Sequence, residues 1–549
     1  MKESGKSNVK EVMDGVWEWI LSENPIYATF IGDQRYDDRM PDISKERKEK
    51  RRSDLKMFKQ KASDTNPKNE KENIDKKVLL WFIDDSIEEL DQDLEDFNID
   101  HMNGYHLLPF DLLNFQKTDT PERMEKFIER LNKFPNLMRQ HIENLKIGES
   151  KKRVQFYIQV QRCIEQIENI LKGKFEETPF QETLNQYQGG QKDKYENILK
   201  DIYNEKIKNS LLEFVEYLKR YKPRDKAGIN SIPDGDKNYR YLIKHHTNLE
   251  IDPASIHQLG IDEIKKIHDE IKDVGAKLGV RDGEVRKIIE EVRKDKKNFF
   301  SSREEIVRAY TDAVEKIYNK LPDFFGVLPK AKVVVRPVED YREKDSVGAF
   351  YYRPSQDGSR PGIFYINTYK PEERPRYELY SLAVHEAVPG HHLQISISQE
   401  VIDHPFRKHI DWDAFTEGWG LYSERLGDEM GLYTEPIYKF GMLIMQVWRA
   451  VRLVVDTGIH SFGWSREKSI EFFLHNTGLE NVEVINEVDR YITWPAQALA
   501  YYIGMKKIME LREKALRVMS IKEFHDLILS LGGIPIQIIE EVVLKRLER

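Results

Sequence analysis

Eight consecutive residues, His385-Glu386-Ala387-Val388-Pro389-Gly390-His391-His392, set three imidazoles and a carboxylate into an otherwise apolar stretch that begins at Tyr377. Imidazole and carboxylate are the zinc donors open to this chain, because its single cysteine, Cys163, excludes an intrachain disulfide and a cysteine-rich metal site. In the pattern H-E-x-x-H two histidines four apart share a helix face, and the glutamate between them works as general base. Here Pro389 stands where the second histidine belongs. On a regular helix, at ~1.5 Å and ~100° per residue, His391 lies ~9 Å along and ~240° around from His385, and His392 returns to its face ~10.5 Å away. Zinc holds its donors within ~2.1 Å, so neither histidine can join His385 unless the helix distorts. Pro389 forces a distortion, having no N–H for the carbonyl of His385 and a ring that crowds it. With Pro389-Gly390 set aside as a bulge, H-E-A-V-H remains. That favours His385 and His391 as ligands, with His392 as the alternative or as a support behind them.

A catalytic zinc keeps three protein ligands and one open position. The run D-A-F-T-E-G-W-G-L-Y-S-E from Asp413 offers Glu417 and Glu424, seven apart on one helix face. Glu417 is expected to be the third ligand: it comes early on the helix, and Gly418 and Gly420 after it permit close approach of the histidine-bearing helix. Glu424, with Arg425 beside it, is expected behind the ligands or in an ion pair. One zinc so held lowers the pKa of a bound water from ~15.7 toward ~7. Glu386, ~100° around the helix from His385, is then the general base that takes the water's proton and delivers it to a leaving amine. For the developing oxyanion, the last third of the chain offers Tyr491 and Tyr501 as the preferred donors, with His460 and Arg490 behind them and Arg452 and Asp456 nearby. A buried tyrosine is ordinarily core with its hydroxyl satisfied, so each of these competes with a packing role.

Long helices and a little sheet must carry these groups. From Val9 to about Leu218 apolar residues recur at three- and four-residue spacing, as in Val9, Val12, Val16, Trp19 and Ile20, with a turn around Asn24-Pro25 and Gly32-Asp33. Further helices are expected near 43–62, 74–95, 120–145, 150–172 and 192–220. The Pro-, Gly-, Asn- and Asp-rich run Lys222–Asp236 reads as a linker and a lobe boundary. Helices over Pro253–Ala276, opened by Asp252-Pro253, and over Arg303–Leu321 follow. Ala331–Val338, Gly348–Arg353 and Gly362–Asn367 then read as a small antiparallel sheet, the last two runs separated by P-S-Q-D-G-S-R-P. Beyond Pro371 the helical period returns, interrupted at Trp494-Pro495 and Gly532-Gly533. The expected division is an N-terminal helical lobe over 1–222, linker, helices and sheet over 223–370, and a catalytic helical lobe over 371–549.

Composition agrees with that economy. Gly 30 and Pro 22 in 549 residues leave few turns. Charged residues make up 33% and no apolar run approaches ~18 residues, which excludes a membrane-spanning helix. Lys+Arg 87 against Asp+Glu 95, a net −8, argues against a nucleic-acid surface, and Lys50-Arg51-Arg52 reads as a solvated helix face. No apolar stretch follows the first charged residues, so no secretory signal is expected and the chain reads as cytoplasmic. His245-His246 reads as packing or substrate contact, and Trp412, Trp419 and Trp494 as core and cleft wall. Asp33, Arg35, Asp37 and Asp38 read as a structural charge network or a lobe-closing contact.

At these residues the sequence resembles the DUF885 family, grouped with zinc metallopeptidases, over nearly the whole chain. The matching segments, in order, begin with E-N-P-I-Y-A-T-F-I-G-D-Q-R-Y-D-D, Y-R-Y-L-I-K-H-H-T and G-A-F-Y-Y-R-P-S-Q-D-G-S-R-P-G-I-F-Y-I-N-T. H-E-A-V-P-G-H-H-L-Q, T-E-G-W-G-L-Y-S-E, V-V-D-T-G-I-H and R-Y-I-T-W-P-A-Q-A-L-A-Y-Y-I-G complete them. The family usually shows Pro-Gly-Gln where this chain has Pro495-Ala496-Gln497. The resemblance implies a mainly α metallopeptidase fold similar to the Taq carboxypeptidase and angiotensin-converting-enzyme clan, with helices in two lobes around a long cleft and one continuous unit. T-E-G-W resembles the ligand-bearing N-E-G-F of metallo-aminopeptidases, in line with Glu417. The resemblance also suggests that the edge of the strand Gly348–Arg353, with Ala349, Phe350 and Tyr351, binds an extended peptide by β-augmentation.

The expectation from all this is a zinc peptidase of extended peptides, a carboxypeptidase or oligopeptidase, monomeric or homodimeric. Arg452, Arg490 and Lys506 are available to neutralise a terminal carboxylate. The alternatives are a peptide-binding protein that keeps the fold without turnover, or another zinc amide hydrolase.

Overall fold

The computed structural model describes residues 8–280, 283–340, 343–344, 346–355, 358 and 360–548. Residues 1–7, and Gln356, Asp357 and Ser359 of the expected inter-strand turn, lie outside that set. The chain forms two units, Met1–Asn238 and Tyr239–Arg549, and the Pro- and Gly-rich run Lys222–Asp236 falls inside the first.

The first unit is helical. Its opening helix, Val9–Glu23, is fixed by a reciprocal cap in which the Asn8 side chain accepts from the Glu11 N–H and the Glu11 carboxylate accepts from the Asn8 N–H. Val9, Val12, Val16 and Ile20 turn one face inward, as their spacing predicts. The expected helix over 120–145 is two helices, Pro121–Asn132 and Phe134–Ser150, because Pro135 can start a helix but not continue one. Phe127, Phe134, Phe180, Leu211 and Phe214 meet in a single apolar core. The Asp-rich turn near the start is structural: Arg35 pairs with Asp33 and Glu18, while Asp37 accepts from Thr29, whose hydroxyl also accepts from the fully buried Arg130.

The second unit is built from α1 (Pro253–Lys277), β1 (Val333–Pro337), β2 (Ala349–Tyr352), β3 (Gly362–Ile366), α2 (His391–Val401), α3 (Asp413–Glu429), α4 (Pro436–His460), α5 (Asn481–Thr493) and α6 (Ala500–Ala515), with shorter helices between them. α4 is buried almost without interruption from Phe440 to His460, and such a helix is apolar all round because neighbours cover every face. The sheet is mixed, which corrects the antiparallel expectation. The strand order is β1-β3-β2, with β3 parallel to β1 and antiparallel to β2. β3, Gly-Ile-Phe-Tyr-Ile, is buried on both faces and so takes the centre, leaving the half-exposed β2 at an edge.

Helices α3 and α6 cross backbone to backbone. A Cβ on Gly418 would lie 2.5 Å from the carbonyl carbon of Gly504, and one on Gly504 would lie 1.8 Å from the Ala414 oxygen. Gly418 therefore admits α6, not the histidine-bearing segment as its sequence position suggests. At the turn before α6, Ala496 holds φ +69°, a left-handed conformation that glycine adopts more easily. Its N–H lies 3.1 Å from both carboxylate oxygens of Asp456.

One buried ring in this unit makes stability pH-dependent. His525 Nδ1–H donates to the Phe324 carbonyl at 2.9 Å, its Nε2 accepts from the Tyr422 hydroxyl at 2.7 Å, and Phe325 stacks on it. Burial drives its pKa down to about 3, against ~6.5 for a free imidazole. As pH falls below ~6.5 the unfolded chain binds a proton that the fold refuses, so the stability from this ring is complete above that value. It drains between there and pH 3, by up to about 1.4 kcal/mol per pH unit. Urea unfolding at about pH 7 and about pH 5 is expected to show a smaller acid loss for His525→Gln than for the native chain, and equal losses would exclude this ring.

Candidate metal centre

The segment before α2 departs from a regular helix where Pro389 requires it. Leu379–Leu382 is one α-helical turn, Ala383–Ala387 widens to a π-helical turn, and Val388 leaves helical space at φ −123°, ψ 136°. A proline drives the preceding residue into extended conformations, and its missing N–H ends the ladder. α2 then starts afresh at His391. His391 is thus the first residue of a new helix, and its ring returns to 4.8 Å from that of His385, edge to face.

Glu417, on the first turns of α3, meets both rings. Its Oε2 is 3.6 Å from Nε2 of His385 and 3.7 Å from Nε2 of His391. Donors bound tetrahedrally at ~2.1 Å stand about 3.4 Å apart, so this spacing suits one zinc ion with an open position. Among the described residues, His385, His391 and Glu417 are the one group of three or more metal-binding side chains that converges, with ligand atoms within 4.8 Å of one another. Close backbone approach makes room for it: a Cβ on Gly420 would lie 2.8 Å from His385 Nε2.

The partners behind the cluster orient it. His385 Nδ1–H donates to Glu424 Oε1 at 2.8 Å, so Nε2 is the nitrogen that faces Glu417. Glu424 is fully buried and also accepts from the Ser381 hydroxyl at 2.9 Å and the Gln446 amide at 3.4 Å. Burial works against a charged His385, yet Glu417 and Glu424 outweigh it and lift its pKa to about 10. Glu417 responds in the opposite direction: burial alone raises it, but His385, His391 and Arg452 hold it at about 2. His392, the alternative ligand, stands outside the cluster. Its Nε2–H donates to the Ala331 carbonyl at 3.0 Å and its Nδ1 accepts from the Tyr351 hydroxyl at 3.0 Å, so both nitrogens are occupied.

A cavity of about 400 Å³ opens on the cluster and is lined by Glu386, Phe350, Tyr351, Tyr501 and Arg452. Tyr501 makes no hydrogen bond among the described residues. Burial, with the Glu417 charge second, lifts its pKa to about 12, which keeps its hydroxyl a donor at neutral pH. Tyr491, His460 and Arg490, also expected at the oxyanion, do not line this cavity. The Tyr491 hydroxyl donates to Glu487 and accepts from Arg452, His460 Nε2 bonds the Tyr491 carbonyl at 2.9 Å, and Arg490 is held by Glu487 and Gln497. Lys506 bonds Glu263. Ala349 pairs with Ile366 and stays out of the lining. Trp419 is core, its Nε1–H donating to the Pro389 carbonyl.

Sequence reasoning missed Arg353, Asp411, Asp413 and Arg449, all of which line the cavity. Two carried a signal: Asp413 is one turn before Glu417, and Arg449 is one turn before Arg452. Asp413 also accepts from His246 at 2.9 Å, which gives that histidine a place beside the site.

Residues 25–543 match the model of a family described as "Bacterial protein of unknown function (DUF885)". Two solved structures share the fold. One, described as "the putative lipoprotein from Colwellia psychrerythraea", superposes with a TM-score of 0.91 at 25% identity over 98% of both chains. The second, described as "a putative lipoprotein of unknown function from Shewanella oneidensis", does so with a TM-score of 0.80 at 16% identity over 98% of this chain and 100% of that one. No curated protein matches the chain.

Proposed function

The chain belongs to the DUF885 family, and on that premise we propose that it is a zinc-dependent peptidase acting on extended peptides, as a carboxypeptidase or oligopeptidase. The observation that carries this reading is the convergence of His385, His391 and Glu417 on one point, with Glu386 beside them in the same cavity. A zinc ion held by these three residues supplies a water acidic enough to ionise near neutral pH and a Lewis acid for a carbonyl.

The chain's own groups do the rest. Glu386 takes the proton of the attacking water on a carboxylate oxygen and delivers it to the nitrogen of the leaving amine. The Tyr501 hydroxyl donates to the oxygen that becomes negative as the carbonyl is attacked. Glu424 holds His385 in the tautomer that leaves Nε2 free for the metal. β2 is a sheet edge whose Phe350 and Tyr351 line the cavity, which suits an extended peptide adding as a further strand.

The test joins metal analysis to hydrolysis. Protein purified without added zinc is expected to carry one ion per chain and to cleave members of a peptide library. Chelation is expected to abolish cleavage and zinc to restore it. A stoichiometric ion with no turnover on any peptide would favour a binding protein, and turnover that survives chelation would remove the metal from the reaction.

A further inference from the structure

Part of the cavity wall is built on α4. Arg449 and Arg452, three residues apart on one face of that helix, both line the cavity, and only 7% and 4% of their surface is exposed. A guanidinium keeps its charge at any ordinary pH, so burying two of them side by side requires partners. Each is nevertheless short of one: Nε of Arg449 and Nη1 of Arg452 are buried and have no hydrogen-bond partner among the described residues. Buried donors left unpaired are rare enough to need an explanation.

The surroundings hold Arg452 still. Arg452 donates through Nε to the Tyr491 hydroxyl at 2.9 Å and through Nη2 to Glu487 at 3.0 Å, and its guanidinium lies 4.6 Å from the Tyr501 ring and 5.0 Å from the Trp448 ring. It cannot swing away without breaking these contacts. Glu487 also receives Arg490, at 3.2 and 3.3 Å, so one carboxylate accepts hydrogen bonds from two guanidiniums. Arg449 hydrogen-bonds only to Met445 among the described residues. Two buried cations with unpaired N–H groups suit a planar anion that accepts at both oxygens, which is a carboxylate. Behind Arg452 lies Tyr491, which is fully buried.

We propose that Arg449 and Arg452 bind the terminal carboxylate of the substrate, which makes peptides with a free C-terminus, cut close to that end, the substrate class of this site. The inference rests on the peptidase reading above and narrows it to an exopeptidase. Arg449 and Arg452 position the chain so that the bond to be broken lies over Glu386.

Three kinds of peptide separate the outcomes with the zinc-loaded full chain: a free acid, its C-terminal amide, and an amide with an interior glutamate. Products are identified by mass spectrometry. The acid is expected to be cleaved about 10- to 100-fold faster in kcat/KM than either amide, the worth of a hydrogen bond to a charged group, with cuts confined to its C-terminal end. Arg449→Met and Arg452→Met are each expected to bring the acid down toward the amide, mainly through KM, while Arg→Lys keeps part of the preference. Calorimetric binding of N-acetyl-alanyl-alanine and its amide to the native chain reads the same preference without turnover or a variant. If no peptide is cleaved but the acid still binds more tightly, the arginine site stands and the peptidase reading falls. If acid and amide are bound and cleaved alike, or the interior glutamate rescues the amide, the carboxylate site is overturned while the peptidase reading survives.

Discussion

Glu386→Gln is expected to lower peptide hydrolysis by about 10²- to 10⁴-fold while one zinc per chain is retained. Glutamine matches glutamate in shape and still accepts a hydrogen bond, but it cannot take the proton of an attacking water. Glu386 is placed for this separation of roles. It is next to His385 on the π-helical turn and lines the same cavity, yet it is not among the three side chains that converge. The substitution therefore leaves His385, His391, Glu417 and the supporting Glu424 in place. Steady-state hydrolysis and metal content, measured on one preparation, read the two roles apart. Hydrolysis at the native rate would remove Glu386 from proton transfer, and loss of zinc would put its carboxylate among the ligands.

Gly504→Ala is expected to do comparable damage from the far side of a helix. The added methyl would sit 1.8 Å from the Ala414 carbonyl oxygen and 2.9 Å from the Gly418 Cα, and both are backbone, so α3 and α6 must separate. Forcing a side chain into a packed crossing of this kind costs about 3 kcal/mol. Glu417 is the residue before Gly418, so the displacement also carries a ligand away from the histidines, and zinc affinity is expected to fall by about 10- to 100-fold. Gly190→Ala, where no atom lies within 4 Å, is the matched control and should change stability by less than about 0.5 kcal/mol. Urea unfolding and zinc titration against a competing chelator measure both effects. A native midpoint for Gly504→Ala would mean that the helices tolerate a wider crossing.

The local features of the site were legible because they depend on neighbours in the chain. The break in the histidine segment follows from the missing N–H of Pro389 and its steric demand on Val388, both covalent properties of the sequence. The helices followed from apolar spacing, and Glu424 behind His385 from its position two turns beyond Glu417 on one face of α3. The order of the sheet was less accessible. Three β-rich runs in sequence suggested an antiparallel sheet, but the strand apolar on both faces takes the centre, and that competition for burial is decided across the whole sheet.

By itself, then, the sequence determined what kind of donors are available, where the helix must break and which residues form helices, since each of these turns on backbone chemistry and spacing within a few residues. Only the tertiary structure decided which donors meet. His391 joins His385 and Glu417, while His392 is committed to Ala331 and Tyr351. Tyr501 lines the cavity while Tyr491 is held behind Arg452, and Arg449 enters beside it. Those choices depend on how α3, α4 and α6 pack, including a glycine crossing a few ångströms wide. Residues far apart in the chain are brought together by the burial of other side chains, and their own spacing carries no record of it.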